Sequence, residues 1–205
     1  MGGAVVRLLR NICFIALTLV SVPSVAMAHL VNSGLGPFYD GAMHLALSPG
    51  DLLGLVAATL LAGLRGARAG RLTVVAMPVA WFIAGLIGLH LPVAIDLPWL
   101  AVVSFILLGV LVAVDPKLPA AAVASLAGLY GALHGLLNGS ALGVIGAGPL
   151  SLFGIVMTVL IVALLVSAAV VSLRAAWTRV AVRVAGSWVA AVGMLMLGWL
   201  AQGTG

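Results

Sequence analysis

Six apolar stretches follow one another along the chain, and they restrict its fold more than any other feature. They are residues 49–64, 72–91, 99–114, 119–137, 150–173 and 184–201. A helix that crosses the roughly 30 Å hydrocarbon core of a bilayer needs about 20 apolar residues, and each stretch is close to that length. The apolar positions do not alternate every second residue, which excludes the strands of a membrane barrel. We predict an all-α bundle of six transmembrane helices.

The charge content excludes the soluble classes of protein. Only 6% of the 205 residues are charged and 64% are hydrophobic, whereas a soluble domain carries about 25% charged residues. So few charges cannot form a water-facing surface. A soluble enzyme, a nucleic-acid-binding protein and a disordered chain are therefore excluded, and the expected surroundings are lipid.

Residues 1–28 have the three parts of a secretory signal peptide. Two arginines precede an apolar segment at 11–22, and Ala-Met-Ala at 26–28 offers a cleavage site. We predict that the signal is cleaved and that residues 29–205 form the six-span domain. An uncleaved first helix is the alternative. Cleavage removes Cys13, the only cysteine, and so excludes disulfides and thiolate metal sites from the mature chain.

The basic residues fix the predicted topology. With six spans and a periplasmic N-terminus, all nine arginines and lysines fall on the cytoplasmic side, as the positive-inside rule requires. Three of the four aspartates and all four histidines fall on the periplasmic half. Both ends of the mature chain are then periplasmic.

The segment before the first span predicts a broken helix. Residues 37–47 are expected to form a short interfacial or re-entrant helix, on which Asp40 and His44 share one face. Ser48 then reads as the N-cap of the first span, with Asp51 in its first turn. Broken helices at membrane depth line the ion sites of transporters. For Asp51, two roles stay open: complementing the helix dipole, or handling a metal ion or proton.

A second group of polar residues lies in the fourth span. Tyr130, His134 and Asn138 recur every four residues and so share one helical face, and Gly131 and Gly135 form a small-residue packing face beside it. His134 is predicted one turn from the outer end of this span. It either bonds its own helical neighbours or belongs to a functional site. The second role is favoured, because ionisable residues in the membrane are costly.

Imidazoles and carboxylates without thiolates suit a borderline divalent transition metal ion. Such an ion would be bound modestly, as a transported substrate and not as a tightly held cofactor. His90 is expected to cap the end of its span instead. The candidate metal ligands are His44, Asp51, His134, Asp40, His29 and Asn138.

These residues carry a family resemblance that covers most of the chain. The segment HLVNSGLGPFYDGAMHLALSPGDLL, the following LLAGLRG, and His134-Gly135 with Gly139 resemble the HupE/UreJ family of nickel/cobalt permeases. The resemblance implies uptake of nickel or cobalt across a bacterial inner membrane, and a functional link to hydrogenase or urease assembly.

The sequence departs from the family's better-known branch in the first motif. There an adjacent Asp-His pair follows the first histidine after five residues. Here Asp51 lies one position late and the second histidine is absent. The hypothesis is that Asp40 or His29 supplies the missing ligand.

Two other functions stay open at this stage. The chain could be a non-transporting membrane accessory that binds metal for hydrogenase or urease maturation. It could also be an intramembrane hydrolase that uses Ser140, in a predicted glycine-rich loop at 138–148, with His134 or His44 as base. The expected partners are a divalent metal ion and the bilayer, and a homo-oligomer is also open.

Overall fold

The computed structural model describes residues 33–202, and the regular secondary structure in this range is entirely helical. The predicted signal peptide and His29 lie outside the described residues. The helices are α1 (Pro37–Leu47), α2 (Pro49–Leu64), α3 (Ala67–Leu89), α4 (Pro98–Val114), α5 (Ala120–Val144), α6 (Pro149–Ser172) and α7 (Ala176–Gln202).

The helix lengths are consistent with the predicted six spans. Four helices (α3, α5, α6 and α7) are each long and apolar enough to cross a bilayer. The pair α1 and α2 passes the same test when taken together, although the two helices are bent by 76° at their junction. The sixth apolar segment, α4, is shorter, with 17 residues. The predicted short helix before the first span is confirmed with the same bounds.

Several helix ends differ from the prediction. Helices α3 and α7 begin earlier than expected, at Ala67 and Ala176, and α5 continues to Val144. The added turns of α3 and α7 contain arginines, which a hydropathy window assigns to loops. Arginine is nevertheless compatible with these helix ends, because its apolar stem lies along the helix while its charged end reaches water.

Helix α2 is the centre of the bundle. It contacts all five long helices that follow it, α3 to α7. Most of its residues between Gly54 and Gly63 are buried, and they form much of the apolar core. Because α2 is surrounded largely by protein, a polar group in its first turn faces other side chains instead of lipid.

Helices α3 and α5 meet backbone to backbone. A Cβ added to Gly139 would overlap the backbone of Gly85. The predicted packing role of Gly131 and Gly135 is confirmed, and the close contact continues through Gly139 to Gly143. This contact fixes the rotation of α5, so that Tyr130, His134 and Asn138 form the adjacent, buried face.

One end of the bundle, which we call the basic end, joins the α2–α3, α4–α5 and α6–α7 turns. Asp115 forms ion pairs there with Arg65 and Arg179, and the carbonyl of Ala113 accepts a hydrogen bond from Arg183. Burial, and then the charge of Arg179, lower the pKa of Arg65. Asp115 offsets the cost of burying the Arg65 guanidinium.

Candidate metal centre

The junction of α1 and α2 brings two predicted ligands to one corner. The backbone of Ser48 is extended between the two helices. Ser48 occupies the predicted N-cap position, but its hydroxyl donates to the carbonyl of His44 at 2.7 Å and makes no cap bond to α2. The predicted N-cap position of Ser48 is therefore confirmed, and its hydroxyl links the end of α1 to the junction.

Four of the predicted ligands form one hydrogen-bonded group, which we call the His–Asp cluster: His44, Asp51, His134 and Asn138. His44 Nε2 donates to Asn138 Oδ1 at 2.9 Å, and Asn138 Nδ2 donates to Asp51 Oδ2 at 3.0 Å. The other oxygen of Asp51 lies 2.5 Å from His134 Nδ1. Asn138 Nδ2 also donates to the carbonyl of His134 at 2.9 Å. Side chains from α1, α2 and α5 thus meet at the helix break.

The cluster has an aromatic wall. His134 is 1% exposed and stacks on Tyr130, with ring centroids 4.1 Å apart. The Tyr130 hydroxyl donates to the backbone carbonyl of Asp51 at 2.8 Å and so holds the first turn of α2. The ring centroid of Trp81 lies 5.9 Å from that of His134. In surroundings of such low polarity, the charge of Asp51 needs a partner, and His134 provides it.

Ser104 of α4 is a member of the site that the sequence analysis missed. Its Oγ lies 2.9 Å from His134 Nε2 and donates to the carbonyl of Ala101 at 2.6 Å. A hydroxyl has one proton. With that proton donated to the Ala101 carbonyl, the Ser104 oxygen is left to accept a hydrogen bond from His134 Nε2. No motif or spacing in the sequence distinguishes Ser104, because only the packing of α4 against α2 and α5 brings it here.

Three other predicted residues have different positions. Asp40 accepts hydrogen bonds at 2.6 Å from both the backbone nitrogen and the hydroxyl of Ser33, and it has no described contact with the cluster. His90 is exposed at the C-cap of α3, where its Nδ1 bonds the carbonyl of Leu86 at 2.8 Å. This agrees with the expected capping role. His29 lies outside the described range.

The cluster lies deeper than the sequence predicts. Because α5 continues to Val144, His134 is ten residues from that end, or about 15 Å along the helix axis. The prediction that His134 lies one turn from the outer end is therefore wrong. The predicted loop at 138–148 is also wrong for most of its length, because it is helical as far as Val144.

Ser140 has a structural contact instead of the exposed position expected of a nucleophile. It is fully buried, donates to the carbonyl of Leu137 and accepts from the backbone nitrogen of Ile95, at 2.9 Å in each case. It makes no described hydrogen bond with His134. This geometry disfavours the hydrolase alternative.

The cluster is not a preformed metal site. Among residues 33–202, no three His, Cys, Asp or Glu side chains converge on one point that could hold an ion. The reason is that the amide of Asn138 lies between His44 and Asp51. An arriving cation would have to replace these internal hydrogen bonds.

His44 is nevertheless arranged as a metal ligand would be. Its Nε2–H donates to a carbonyl oxygen, which is the outer bond that orients most metal-binding histidines. With the proton on Nε2, the lone pair is on Nδ1, which has no hydrogen-bond partner in the described part of the chain. Imidazole, carboxylate and amide oxygen together suit a borderline divalent ion.

The sequence as a whole matches one family. The model of the HupE / UreJ protein family matches residues 17–196, which is most of the chain. The chain belongs to the HupE/UreJ family. HupE/UreJ proteins are membrane proteins associated with nickel and cobalt transport, and they are transporters, not enzymes. No curated protein and no solved structure matches the chain. The membership of HupE/UreJ agrees with the helical bundle and with the buried position of Ser140.

Proposed function

We propose that this protein takes up a divalent transition metal ion, nickel or cobalt, through the His–Asp cluster. The observation that carries the proposal is the hydrogen-bonded group of two histidines, a carboxylate and an amide at a helix break inside an apolar bundle. Buried ionisable groups at broken helices are typical of ion pathways. Nickel or cobalt is the substrate, and no tightly bound cofactor is required.

The direction of transport follows from the positive-inside rule. Every described arginine and lysine lies at the basic end or within two helical turns of it, so that end is cytoplasmic. The helix break and the loops on that side then open to the periplasm of a bacterial inner membrane. The mature N-terminus and the C-terminus are both periplasmic. An ion from outside would meet His44 before the more deeply buried His134.

Each member of the cluster has a distinct role in this scheme. His44 contacts the ion first through Nδ1, and Asp51 supplies the negative charge that compensates for the ion's lost water. Asn138 gives up its hydrogen bonds to His44 and Asp51 as the ion enters between those two side chains. Ser104 then keeps His134 oriented through Nε2. The absence of a thiolate from the His–Asp cluster keeps the affinity modest, so that the ion can leave toward the cytoplasm.

The first test is the accumulation of radioactive nickel and cobalt, measured separately, in bacterial cells that lack their own uptake systems. Wild-type protein should accumulate at least one of the ions, and His44→Ala and His134→Ala should abolish that accumulation at equal protein levels in the membrane. His90→Ala should have a smaller effect, because His90 only caps α3. Uptake at the wild-type level in His44→Ala would contradict the assignment of the site.

The same experiment distinguishes uptake from the accessory function. A non-transporting accessory would bind nickel or cobalt as purified protein, with affinity lost in His44→Ala, yet would not raise the metal content of cells. If uptake is found, its link to enzyme assembly can be tested by urease or hydrogenase activity in cells supplied with limiting nickel.

Asn138→Ala should weaken uptake without abolishing it. The substitution removes the acceptor that orients His44 and one donor to Asp51. Loss of a group that orients metal ligands typically costs about 10–100-fold in affinity or activity. We expect the ion concentration for half-maximal uptake to rise by that factor, measured from initial rates. Ser187→Ala is the control, because this exposed serine bonds only its own helix. Equal kinetics in both variants would exclude the orienting role.

A further inference from the structure

The outer seam between α3 and α6 has a long apolar groove, formed by two cavities of about 370 and 360 Å³ that share Val74 and Val75. On α3 the groove runs from Ala67 to Phe82. Fifteen residues of helix span about 22 Å, which exceeds the roughly 15 Å depth of one leaflet's hydrocarbon. The groove is therefore long enough to hold one acyl chain along its length.

A third cavity, of about 250 Å³, adjoins this groove at the basic end. It lies between the α2–α3 turn and the α6–α7 turn, and its lining includes Gly66, Arg174 and Arg179. Val171 lines both this cavity and the apolar groove, so the two are adjacent. A partly polar space thus lies next to an apolar one, as the two parts of a phospholipid require.

Two arginines near the basic end of the groove have no ion pair or hydrogen bond within the described part of the protein. Arg71 lines the groove and Arg174 lines the polar cavity. Neither has a hydrogen bond or ion pair with any residue between 33 and 202. By contrast, Arg179 is bonded to Asp115, the one acidic residue described at this end. The unpaired arginines would attract an anionic group.

Ser167 is the second, independent observation. Its side chain is 3% exposed, it lines the groove, and its hydroxyl has no hydrogen-bond partner in the described structure. A buried hydroxyl without a partner is costly. Ser167 lies one helical turn deeper than Val171, below the arginines. The ester carbonyl of a phospholipid in the groove would supply an acceptor at this depth.

We infer that the α3–α6 groove binds a phospholipid with an anionic headgroup. The phosphate lies between Arg71 and Arg174, the Ser167 hydroxyl donates to an ester carbonyl, and one acyl chain lies along Val74 and Val75 toward Phe82. The lipid comes from the cytoplasmic leaflet if the proposed orientation is correct. The site itself is independent of metal transport.

The test uses the full-length protein purified in detergent, titrated with phosphatidylglycerol or with phosphatidylcholine of the same chain length. Binding is read from mass spectrometry of the intact complex. We expect about a 10-fold preference for phosphatidylglycerol. The double variant Arg71→Gln, Arg174→Gln should bind both lipids equally. Arg68→Gln, which removes an exposed arginine that lines none of the three cavities, should keep the preference.

A second variant tests the groove separately from the charges. Val75→Trp should fill the shared part of the two apolar cavities at an exposed position, and so reduce phosphatidylglycerol binding about 10-fold while the arginines remain. Equal binding of the two lipids by wild-type protein would overturn the inference. So would the same loss in Arg68→Gln as in the double variant, or undiminished binding by Val75→Trp.

Discussion

Asparagine in place of Asp51 will reduce nickel or cobalt uptake by more than about 100-fold, while the protein remains folded in the membrane. The substitution keeps the size of the side chain and removes its charge. One Asp51 oxygen contacts His134 and the other contacts Asn138, so this carboxylate connects the two halves of the cluster. As a proposed direct ligand of the ion, Asp51 should matter more than groups that orient ligands, whose loss costs about 10–100-fold.

The control for this substitution is Asp96→Asn. Asp96 is exposed in the loop between α3 and α4, at the same end of the bundle, and lies outside the cluster. Its loss should leave uptake near the wild-type level. If Asp51 only complements the dipole of α2, Asp51→Asn will change the free energy of unfolding by about 1 kcal/mol or less and will not change uptake. That result would exclude Asp51 from the metal path.

Alanine in place of Gly139 will destabilise the bundle by about 3 kcal/mol or more. The added Cβ would overlap the backbone of Gly85, which is held in α3 and cannot move aside as a side chain end could. Overpacking in a well-packed core costs about 1–3 kcal/mol, and a backbone obstacle places this position at or above the upper limit. Unfolding of the purified protein in detergent should show the loss, together with less protein in the membrane.

The matched control is Gly198→Ala in α7. An added Cβ at Gly198 meets no atom within 4 Å. Alanine should be neutral or slightly stabilising there, because its helix propensity is higher than that of glycine. Equal stability of the two variants would mean that α3 and α5 can separate at little cost, and that the glycine contact does not fix the rotation of α5.

The candidate site was partly predictable from sequence. Spacing of four residues placed His134 and Asn138 on one helical face, and the Ser-Pro-Gly-Asp segment placed a helix break beside His44. These are local signals, which depend on helical periodicity and on the conformational limits of proline. They therefore identified four residues that the structure brings together. The same local reasoning could not separate them from Asp40, whose carboxylate bonds Ser33 instead.

Hydropathy was less informative about depth. Arginine near a helix end and glycine near the outer loop both lowered the apolar score, so the expected starts of α3 and α7 and the expected C-terminal end of α5 fell inside the real helices. Hydropathy also does not show which face of a helix is buried, as Trp81 and Trp188 illustrate. Both lie in the middle of apolar stretches, yet Trp81 is fully buried beside His134 and Trp188 is 69% exposed.

The sequence by itself determined the helical class, the apolar segments and which end of the bundle carries the basic residues. These properties depend on the transfer of side chains between water and lipid, which is nearly additive along the chain. Only the tertiary structure decided that α2 is central, that Ser104 joins His134, and that Arg71 and Ser167 line one groove. These depend on which helix faces touch. In an apolar chain nearly every face is hydrophobic, and close backbone contact between glycines selects the pairs.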